Sequence, residues 1–423
     1  MFSEIRIQNF KSIQDLTLKP GRVTVLIGEN GSGKSNILEA IGFAAGAGAD
    51  KLDNEYLYNR GIRVTEHAWM QSAFTTDSSQ EAQSPNKNAI QFTFSCESVH
   101  MLDCVVKSSI RDDKGGAEVW TSEIKINSTI GDGIKKKLPN DQFLKIIISE
   151  LIKAMGGKDE LLKRLENVDL KNLGVIDVNN APEVNALVDL VRESQIRKYF
   201  FETINLTGFL VYAPENTCLR KFEDEGAIQP LGTKGEGLLK LLQIFSEEKS
   251  NDELIDLKER LHLFGWFEDF IAPGPGAMIR AQLQIKDRWL APALFDQRSA
   301  NEGFLFVLFY FALLMSKRTP QFFAIDNIDT ALNPRLCAEL MKQIVELAKK
   351  YDKQVICTTH NPAILDGLDL KDDDQRLFVV NRDSEGRTIA HRIRGPQPQP
   401  GEKPVRLSIA FLRGLIGGLP ENF

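Results

Sequence analysis

The sequence Gly28-Glu-Asn-Gly-Ser-Gly-Lys-Ser35 decides the fold, because it matches the pattern G-x-x-x-x-G-K-[ST] in full. It follows the continuous β-branched run Val23–Ile27 and precedes residues 35–45, whose composition favours a helix. In a strand–loop–helix unit of this kind, glycines let successive backbone N–H groups turn towards phosphate oxygens. The N-terminus of the helix adds partial positive charge. The sequence therefore predicts a nucleotide site, with the Lys34 side chain on the β- and γ-phosphates and the Ser35 hydroxyl on Mg²⁺.

Length and composition place the chain among folded proteins. It has 423 residues, of which 42% are hydrophobic and 26% charged, and its net charge is −6. The five cysteines are widely spaced and never form C-x-x-C, which favours reduced core residues over disulfides or a zinc site. The most apolar run, 304–315, is shorter than the ~20 residues of a membrane-spanning helix, and no secretory signal opens the chain. We expect a cytoplasmic protein without a membrane partner.

The order of predicted strands and helices indicates an α/β fold. Runs 90–95, 102–108 and 118–126 alternate with turn-rich pieces, which is typical of a small antiparallel sheet. Further strands are predicted at 4–9, 208–212, 321–325 and 354–358, and an amphipathic helix at Pro334–Lys350. Such alternation predicts a parallel core sheet with the middle third of the chain inserted into it.

The same patterns divide the chain into four parts. Residues 1–134 hold the phosphate loop and the antiparallel β subdomain, and residues 135–200 have the apolar spacing of a short helical insertion. Residues 201–395 return to strands and helices, and residues 396–423 form a C-terminal tail after a Pro-Gln-rich linker.

Two later features extend the nucleotide site. Asp326 ends the hydrophobic run 322–325, as expected of the acid that holds the Mg²⁺ shell. His360 follows the next predicted strand, and although a lone histidine is more often structural, this position favours a functional one.

These motifs resemble an ABC-type ATPase of the RecF/SMC/OLD group, and the opening Asn9-Phe-Lys-Ser12 is similar to that group's N-terminal turn. The resemblance implies an ABC-type P-loop ATPase head that uses ATP and Mg²⁺, with Leu332 and Asn333 in the D-loop and His360 as switch histidine. It assigns ATP binding to Lys11, Ser12, Gly28, Asn30, Gly31, Ser32, Gly33, Lys34, Ser35 and Asn36. It assigns catalysis to Lys34, Asp326, Asn327 and His360, and the metal to Ser35 and Asp326.

The sequence departs from the family at its signature loop, a Ser-x-Gly type segment at a helix N-terminus. Aligned on Gly303, Asn301 takes the serine position; aligned on Ser299, the loop is longer than usual. The resemblance implies that this loop completes the ATP site of a second copy, so that ATP is sandwiched in a homodimer or in a higher oligomer built of dimers. A plain helix cap is the simpler alternative.

A second departure from the family concerns the general base of ATP hydrolysis. The family has Glu directly after the Walker-B Asp, where this chain has Asn327. An amide cannot accept a proton, and loss of a positioned base costs about 10²–10⁴ in rate. We therefore expect slow hydrolysis and a long-lived ATP-bound dimer. Asp329 is an alternative carboxylate, but a structural role in the D-loop is the simpler interpretation.

The resemblance also bears on partners. Segments 213–220 and 231–239, and the end of the chain, resemble short bacterial members found in anti-phage defence operons. This implies a sensor or regulator of a nuclease or toxin encoded nearby, docked on the insertion or the tail. The alternative is a RecF-like ATPase of DNA repair that binds DNA itself. The chain lacks the clean signature sequence of a membrane transporter's nucleotide-binding subunit, which disfavours that class. It also lacks the N-K-x-D motif of a GTPase.

Overall fold

The computed structural model describes residues 1–74, 89–96, 99–111, 117–127, 205–221, 230–247, 252–274, 282–290, 292–395 and 405–419. The predicted helical insertion, 135–200, lies outside the described residues, and so does the linker 396–404. Within these ranges no helix is both long enough and apolar enough to cross a membrane.

Strands and helices are interspersed along the described part of the chain. The strands are β1 (Phe2–Phe10), β2 (Ile13–Leu18), β3 (Val23–Ile27), β4 (Ile90–Cys96), β5 (Val99–Arg111), β6 (Ala117–Asn127), β7 (Val211–Tyr212), β8 (Phe267–Ile271), β9 (Gln284–Asp287), β10 (Leu294–Asp296), β11 (Phe322–Ile325), β12 (Gln354–Thr359), β13 (Gln375–Arg382) and β14 (Thr388–Ile393). The helices are α1 (Lys34–Gly48), α2 (Asn54–Asn59), α3 (His67–Met70), α4 (Asn216–Leu219), α5 (Leu238–Glu247), α6 (Asp252–Leu261), α7 (Glu302–Met315), α8 (Pro334–Lys350) and α9 (Leu407–Leu412), with a 3₁₀ helix at Pro362–Gly367.

The central sheet is mainly parallel and carries the phosphate loop. Across the described residues its strand order is β14-β13-β3-β12-β11-β7, and only β14 runs antiparallel to its neighbour. The strands β3, β11 and β12 are buried along their whole length, because helices or a second sheet cover both faces. The predicted parallel α/β core is therefore confirmed.

A second, antiparallel sheet packs over the phosphate-loop helix. In the described part of the chain its order is β2-β1-β4-β5-β6, so the three predicted strands are joined by the β1–β2 hairpin. Phe92 of this sheet, Phe43 of α1 and Leu26 of β3 belong to one apolar cluster. Helix α1 is thus held between the two sheets, which fixes the direction of its N-terminus.

The other face of the central sheet is covered by α7, which is buried on all sides from Gly303 to Met315. Its phenylalanines pack with α5, α6 and α8 in a second apolar cluster. A helix that is hydrophobic all round is a core helix, as the sequence predicts for 304–315.

The structure adds strands that periodicity did not predict. Residues 13–18 form β2, residues 375–382 form β13 beside β3, and residues 388–393 form β14 beside β13. β14 is an edge strand of the central sheet, and its Arg392 pairs with Asp373 at 2.5 Å. The predicted strand 208–212 is shorter than expected, since only Val211–Tyr212 pairs with β11.

Candidate nucleotide site

The phosphate loop lies at the carboxyl end of β3, where close packing demands glycine at two positions. A Cβ on Gly28 would lie 2.0 Å from the Val380 carbonyl oxygen. Gly33 has φ of 107° and its Cβ would lie 2.1 Å from the Thr388 hydroxyl. The loop therefore packs directly against the neighbouring strands β13 and β14. A side chain at Gly28 or Gly33 would displace the loop.

The Lys34 side chain folds back over the phosphate loop. Its Nζ donates to the carbonyl oxygens of Gly28 at 3.0 Å and Glu29 at 2.9 Å. Burial lowers the pKa of Lys34 to about 8, while the nearby carboxylates of Asp326, Glu29 and Asp329 oppose that shift. A partly desolvated cation in this position gains strongly from an anion placed in the loop.

Ser35 and Asp326 meet across the gap between α1 and β11. The Ser35 hydroxyl donates to Asp326 Oδ2 at 3.0 Å, and Thr358 Oγ1 donates to Asp326 Oδ1. The Asp326 N–H donates to the Tyr212 carbonyl at 2.8 Å, which ties the acid to β7. A hydroxyl and a carboxylate together supply the oxygen ligands that Mg²⁺ prefers.

The loop also has a free polar group that suits a phosphate. The Ser32 hydroxyl is buried and has no hydrogen-bond partner among the described residues. Buried polar groups in folded proteins are nearly always bonded. An orphaned hydroxyl inside a glycine-rich loop therefore fits a bound triphosphate. Asn30 and Gly31 lie exposed at the tip of this loop.

The residues that follow β11 and Asp326 are held by hydrogen bonds to the end of β12. Asn327 is exposed, has φ of 53°, and its N–H donates to Thr358 Oγ1 at 2.9 Å. The Asp329 carboxylate accepts from Thr359 Oγ1 at 2.6 Å and from the His360 N–H at 3.4 Å. These bonds tie the turn after β11 to the end of β12, which favours the structural interpretation of Asp329.

The His360 side chain lies close enough to the phosphate loop to respond to it. Partial burial lowers the pKa of His360, and the Lys34 ammonium lowers it further. The lowered pKa favours the neutral imidazole, which can donate one hydrogen bond and accept another.

The N-terminal turn contacts α1 through buried polar groups. Lys11 Nζ lies 2.7 Å from a carboxylate oxygen of the buried Glu39, whose other oxygen accepts from Arg63 Nε at 2.5 Å. The Ser12 hydroxyl bonds Asn36 Nδ2 at 2.6 Å and the Thr388 hydroxyl at 2.7 Å. The structure thus brings Lys11 and Ser12 to Glu39 and Asn36 of the phosphate-loop helix, with the Lys11 ammonium paired with Glu39.

The signature-like loop lies on a different part of the chain, before α7. Asn301 caps that helix, since its Oδ1 accepts from the Phe304 N–H at 3.3 Å, and Ser299 is exposed in a turn. Gly303 is buried against the D-loop, where a Cβ would lie 2.9 Å from the Ala331 carbonyl. Within the described ranges, none of the hydrogen bonds made by residues 299–303 reaches the phosphate loop.

Several residues around the site were not assigned a role from the sequence. They are Glu39, Arg63, Arg220, Thr358 and Thr388. Thr358 could have been found, because it ends the predicted strand 354–358 and lies two residues before His360. The other four act through contacts between distant segments, for which a single sequence holds no local signal.

Two family models match the chain. The model described as an AAA domain matches residues 4–264. The chain belongs to this AAA-domain family. A second model, described as "AAA domain, putative AbiEii toxin, Type IV TA system", matches residues 294–366. No curated protein shows significant similarity to the chain.

Solved structures of SMC head domains are similar to this AAA-domain ATPase. An SMC head bound to the C-terminal winged-helix domain of ScpA is 13% identical, with a TM-score of 0.50, over 93% of this chain and 98% of that one. The SMC head from Thermotoga maritima is 13% identical with a TM-score of 0.40, over the same shares of the two chains. The Pyrococcus furiosus SMC head with an extended coiled coil is 15% identical with a TM-score of 0.43, over 93% and 96%. The family match and the fold of the first head confirm the resemblance to ABC-type ATPases of the RecF/SMC group.

Proposed function

We propose that the chain binds Mg·ATP, pairs with a second copy around the nucleotide, hydrolyses it slowly and controls a partner effector. One observation carries this proposal. Ser35 and Asp326 lie 3.0 Å apart next to the desolvated Lys34, yet the residue after Asp326 is an amide. The site is thus built to hold a metal–triphosphate and lacks the usual base for cleaving it.

In this proposal each part of the site has a separate task. Backbone N–H groups of the phosphate loop and the Lys34 ammonium bind the phosphates, and the Ser32 hydroxyl gains a partner there. Ser35 and Asp326 hold Mg²⁺, which supplies charge neutralisation on the β- and γ-phosphates. His360 faces the terminal phosphate, and residues 299–303 of the second copy close the site with a helix N-terminus.

Steady-state ATPase assays of the wild type and Asn327→Glu test the slow-hydrolysis proposal. We expect wild-type turnover well below 1 s⁻¹ and a rise of about tenfold or more in the variant, because a carboxylate can deprotonate water. Asn327→Gln is the matched control, since it has the length of Glu and the same strain at positive φ but no basic oxygen. Wild-type turnover near 1 s⁻¹ or faster would contradict slow hydrolysis and the long-lived ATP-bound dimer.

The effector proposal draws on the tail and on the relatives. The match to the model described as a putative AbiEii toxin supports a place in bacterial anti-phage defence, where we propose that the chain acts as a regulator in the cytoplasm. Ser408 anchors α9 through two bonds to the Asp366 carboxylate, at 3.0 and 2.7 Å. A Cβ on Gly418 would lie 3.7 Å from Gly28 Cα, and Leu412 and Leu415 are 63% and 67% exposed. An apolar tail beside the phosphate loop suits a nucleotide-dependent docking surface.

Pull-down with the product of the neighbouring gene, with and without ATP and Mg²⁺, tests this docking surface. We expect capture by the wild type and loss of capture in the Leu412→Ser/Leu415→Ser double variant with ATP affinity unchanged. Trp289→Ser removes an apolar side chain elsewhere that is 78% exposed, and it should leave capture intact. Capture that survives the tail variant would contradict docking there. ATP-dependent, strongly salt-sensitive binding of duplex DNA by the isolated chain would instead favour the DNA-repair alternative.

A further inference from the structure

Three carbonyl groups of the signature-like loop, defined here as residues 297–303, accept hydrogen bonds from one arginine. Arg220 Nη1 donates to the carbonyl oxygens of Gln297 at 2.8 Å and Arg298 at 2.7 Å, and its Nη2 donates to that of Ala300 at 2.9 Å. The Arg220 Nε donates to Asn216 Oδ1 at 2.7 Å, which holds the guanidinium from behind. One side chain therefore bonds three of the backbone carbonyls between β10 and α7.

Local hydrogen bonds satisfy some N–H groups of this loop. The Ser299 N–H donates to the Asp296 carbonyl at 3.0 Å and the Arg298 N–H to Asp296 Oδ1 at 2.9 Å. The loop links β10 to α7 without a helix or strand, so carbonyl groups such as those of Arg298 and Ala300 need partners from outside the segment. The buried Gln297 side chain supplies one link, since its Oε1 accepts from the Leu283 N–H at 3.0 Å. A planar guanidinium with five donors can satisfy several carbonyls at once, which a lysine ammonium at the same place cannot do as rigidly.

Arg220 is also connected to the nucleotide half of the site. It follows α4, which is only a few residues beyond Tyr212 at the end of β7. The Tyr212 carbonyl accepts the Asp326 N–H at 2.8 Å. The segment from Tyr212 to Arg220 thus runs from the Walker-B acid to the signature-like loop of the same chain.

We propose that Arg220 is the positioning residue of the 297–303 loop, fixing the backbone that a second copy's triphosphate meets. This inference rests on the proposed ATP-sandwiched dimer. Arg220 does not touch the nucleotide of its own copy, so its removal leaves ATP binding by the single chain intact. Removal of Arg220 weakens dimerisation, because the three loop carbonyls lose their common hydrogen-bond donor. The loop backbone and the N-terminus of α7 are then no longer held in one orientation.

Two measurements on full-length Arg220→Ala separate these effects. We expect fluorescent-ATP affinity within twofold of the wild type, and ATP-dependent dimerisation, followed by light scattering, weakened about tenfold or more. Arg220→Lys should fall between the two, since an ammonium replaces only part of the fork. Arg376→Ala is the matched control, because Arg376 bonds the Lys19 and Asp373 carbonyls at the far end of the sheet. It should dimerise like the wild type.

Mixing two defective variants gives a readout that a merely structural role would not produce. Lys34→Ala removes the phosphate-loop half of the site and Arg220→Ala weakens the half formed by the 297–303 loop, so each variant alone should dimerise much more weakly than the wild type. A mixed dimer contains one site with both halves intact, and we expect ATP-dependent pairing to return in the mixture only. Should Arg220→Ala lose ATP binding, Arg220→Gln is used under the same criteria.

The outcomes distinguish the two proposals. A wild type that stays monomeric with ATP and Mg²⁺ overturns the proposed dimer itself. A wild type that dimerises, with Arg220→Ala and Arg220→Gln dimerising equally well, overturns the role of Arg220 alone. A mixture that pairs no better than its components also overturns that role.

Discussion

The two halves of the proposed composite site differ in what holds them. The phosphate loop follows a buried strand, and its neighbours Asp326 and His360 follow the next strands of the same parallel sheet. The 297–303 loop instead depends on Arg220, which lies 77 to 80 positions away in the sequence. The first half is built from a contiguous motif on a sheet edge, and the second from a contact between distant segments. The first therefore has a strict sequence pattern and the second does not.

Removing the Lys34 ammonium should have the largest effect and should be confined to the first half. We expect Lys34→Ala to lower ATP affinity by about 10²-fold or more, since removing one partner of a buried charge pair costs about 2–5 kcal/mol. Isothermal titration calorimetry measures the affinity. Arg376→Ala, remote from both halves, is the control. A loss of less than about tenfold in Lys34→Ala would mean that the phosphates bind elsewhere.

Filling the space at Gly28 should disturb the same half by a steric route. Gly28→Ala places a Cβ 2.0 Å from the Val380 carbonyl, so the loop must shift away from β13. Overpacking of this kind costs about 1–3 kcal/mol, which predicts an ATP affinity about tenfold lower and a reduced melting temperature. Gly265→Ala is the matched control because nothing lies within 4 Å of its Cβ position. Unchanged affinity in Gly28→Ala would show that the β3–β13 packing does not shape the loop.

The first half could be predicted almost completely from the sequence. Residues 28–35 form one local pattern, and Asp326 and His360 each follow a continuous apolar run, so parallel strands must bring them to one edge. The strand β13 escaped prediction because Gln375-Arg-Leu follows the acidic turn 372–374 and shows no clear alternation. The roles of Thr388 and Arg382 escaped with it, although Arg382 donates to the Gly31 carbonyl at 2.9 Å.

The second half could be located but not explained. Gly303 and the apolar helix behind it were visible in the sequence, and the choice between Ser299 and Asn301 stayed open. The structure gives Asn301 the helix cap and leaves Ser299 exposed in a turn. Nothing local marks Arg220 as a partner of this loop, because arginine in a short helical turn is ordinary. Only the folded chain brings it to the three carbonyls.

A pH titration sharpens the contrast further, because the first half contains a lysine whose pKa is about 8. A bound triphosphate raises the Lys34 pKa above that value, so binding takes up a proton at high pH. ATP affinity should therefore be full below pH 8 and fall by about tenfold for each pH unit above it, until the pKa of the complex is reached. Lys34→Arg, whose guanidinium stays charged, should bind ATP with little change from pH 7.5 to 9.5. A flat profile in the wild type would mean that Lys34 is already fully protonated or does not meet the phosphates.

Substitutions at Asn301 should have the smallest effect and distinguish a helix cap from a phosphate ligand in the second half. Asn301→Ala removes the acceptor of the Phe304 N–H, so we expect about 1 kcal/mol less stability and weaker ATP-dependent dimerisation. Asn301→Ser keeps both the cap and a hydrogen-bond donor and should resemble the wild type in both measurements. Asn301→Asp caps the helix at least as well, because its charge suits a helix N-terminus, but it would repel a triphosphate. A melting temperature that is preserved in Asn301→Asp while dimerisation is lost therefore assigns Asn301 to the second copy's nucleotide. Dimerisation that follows stability across all three variants reduces Asn301 to a cap and leaves the backbone positioned by Arg220 as the part of this loop that meets the phosphate.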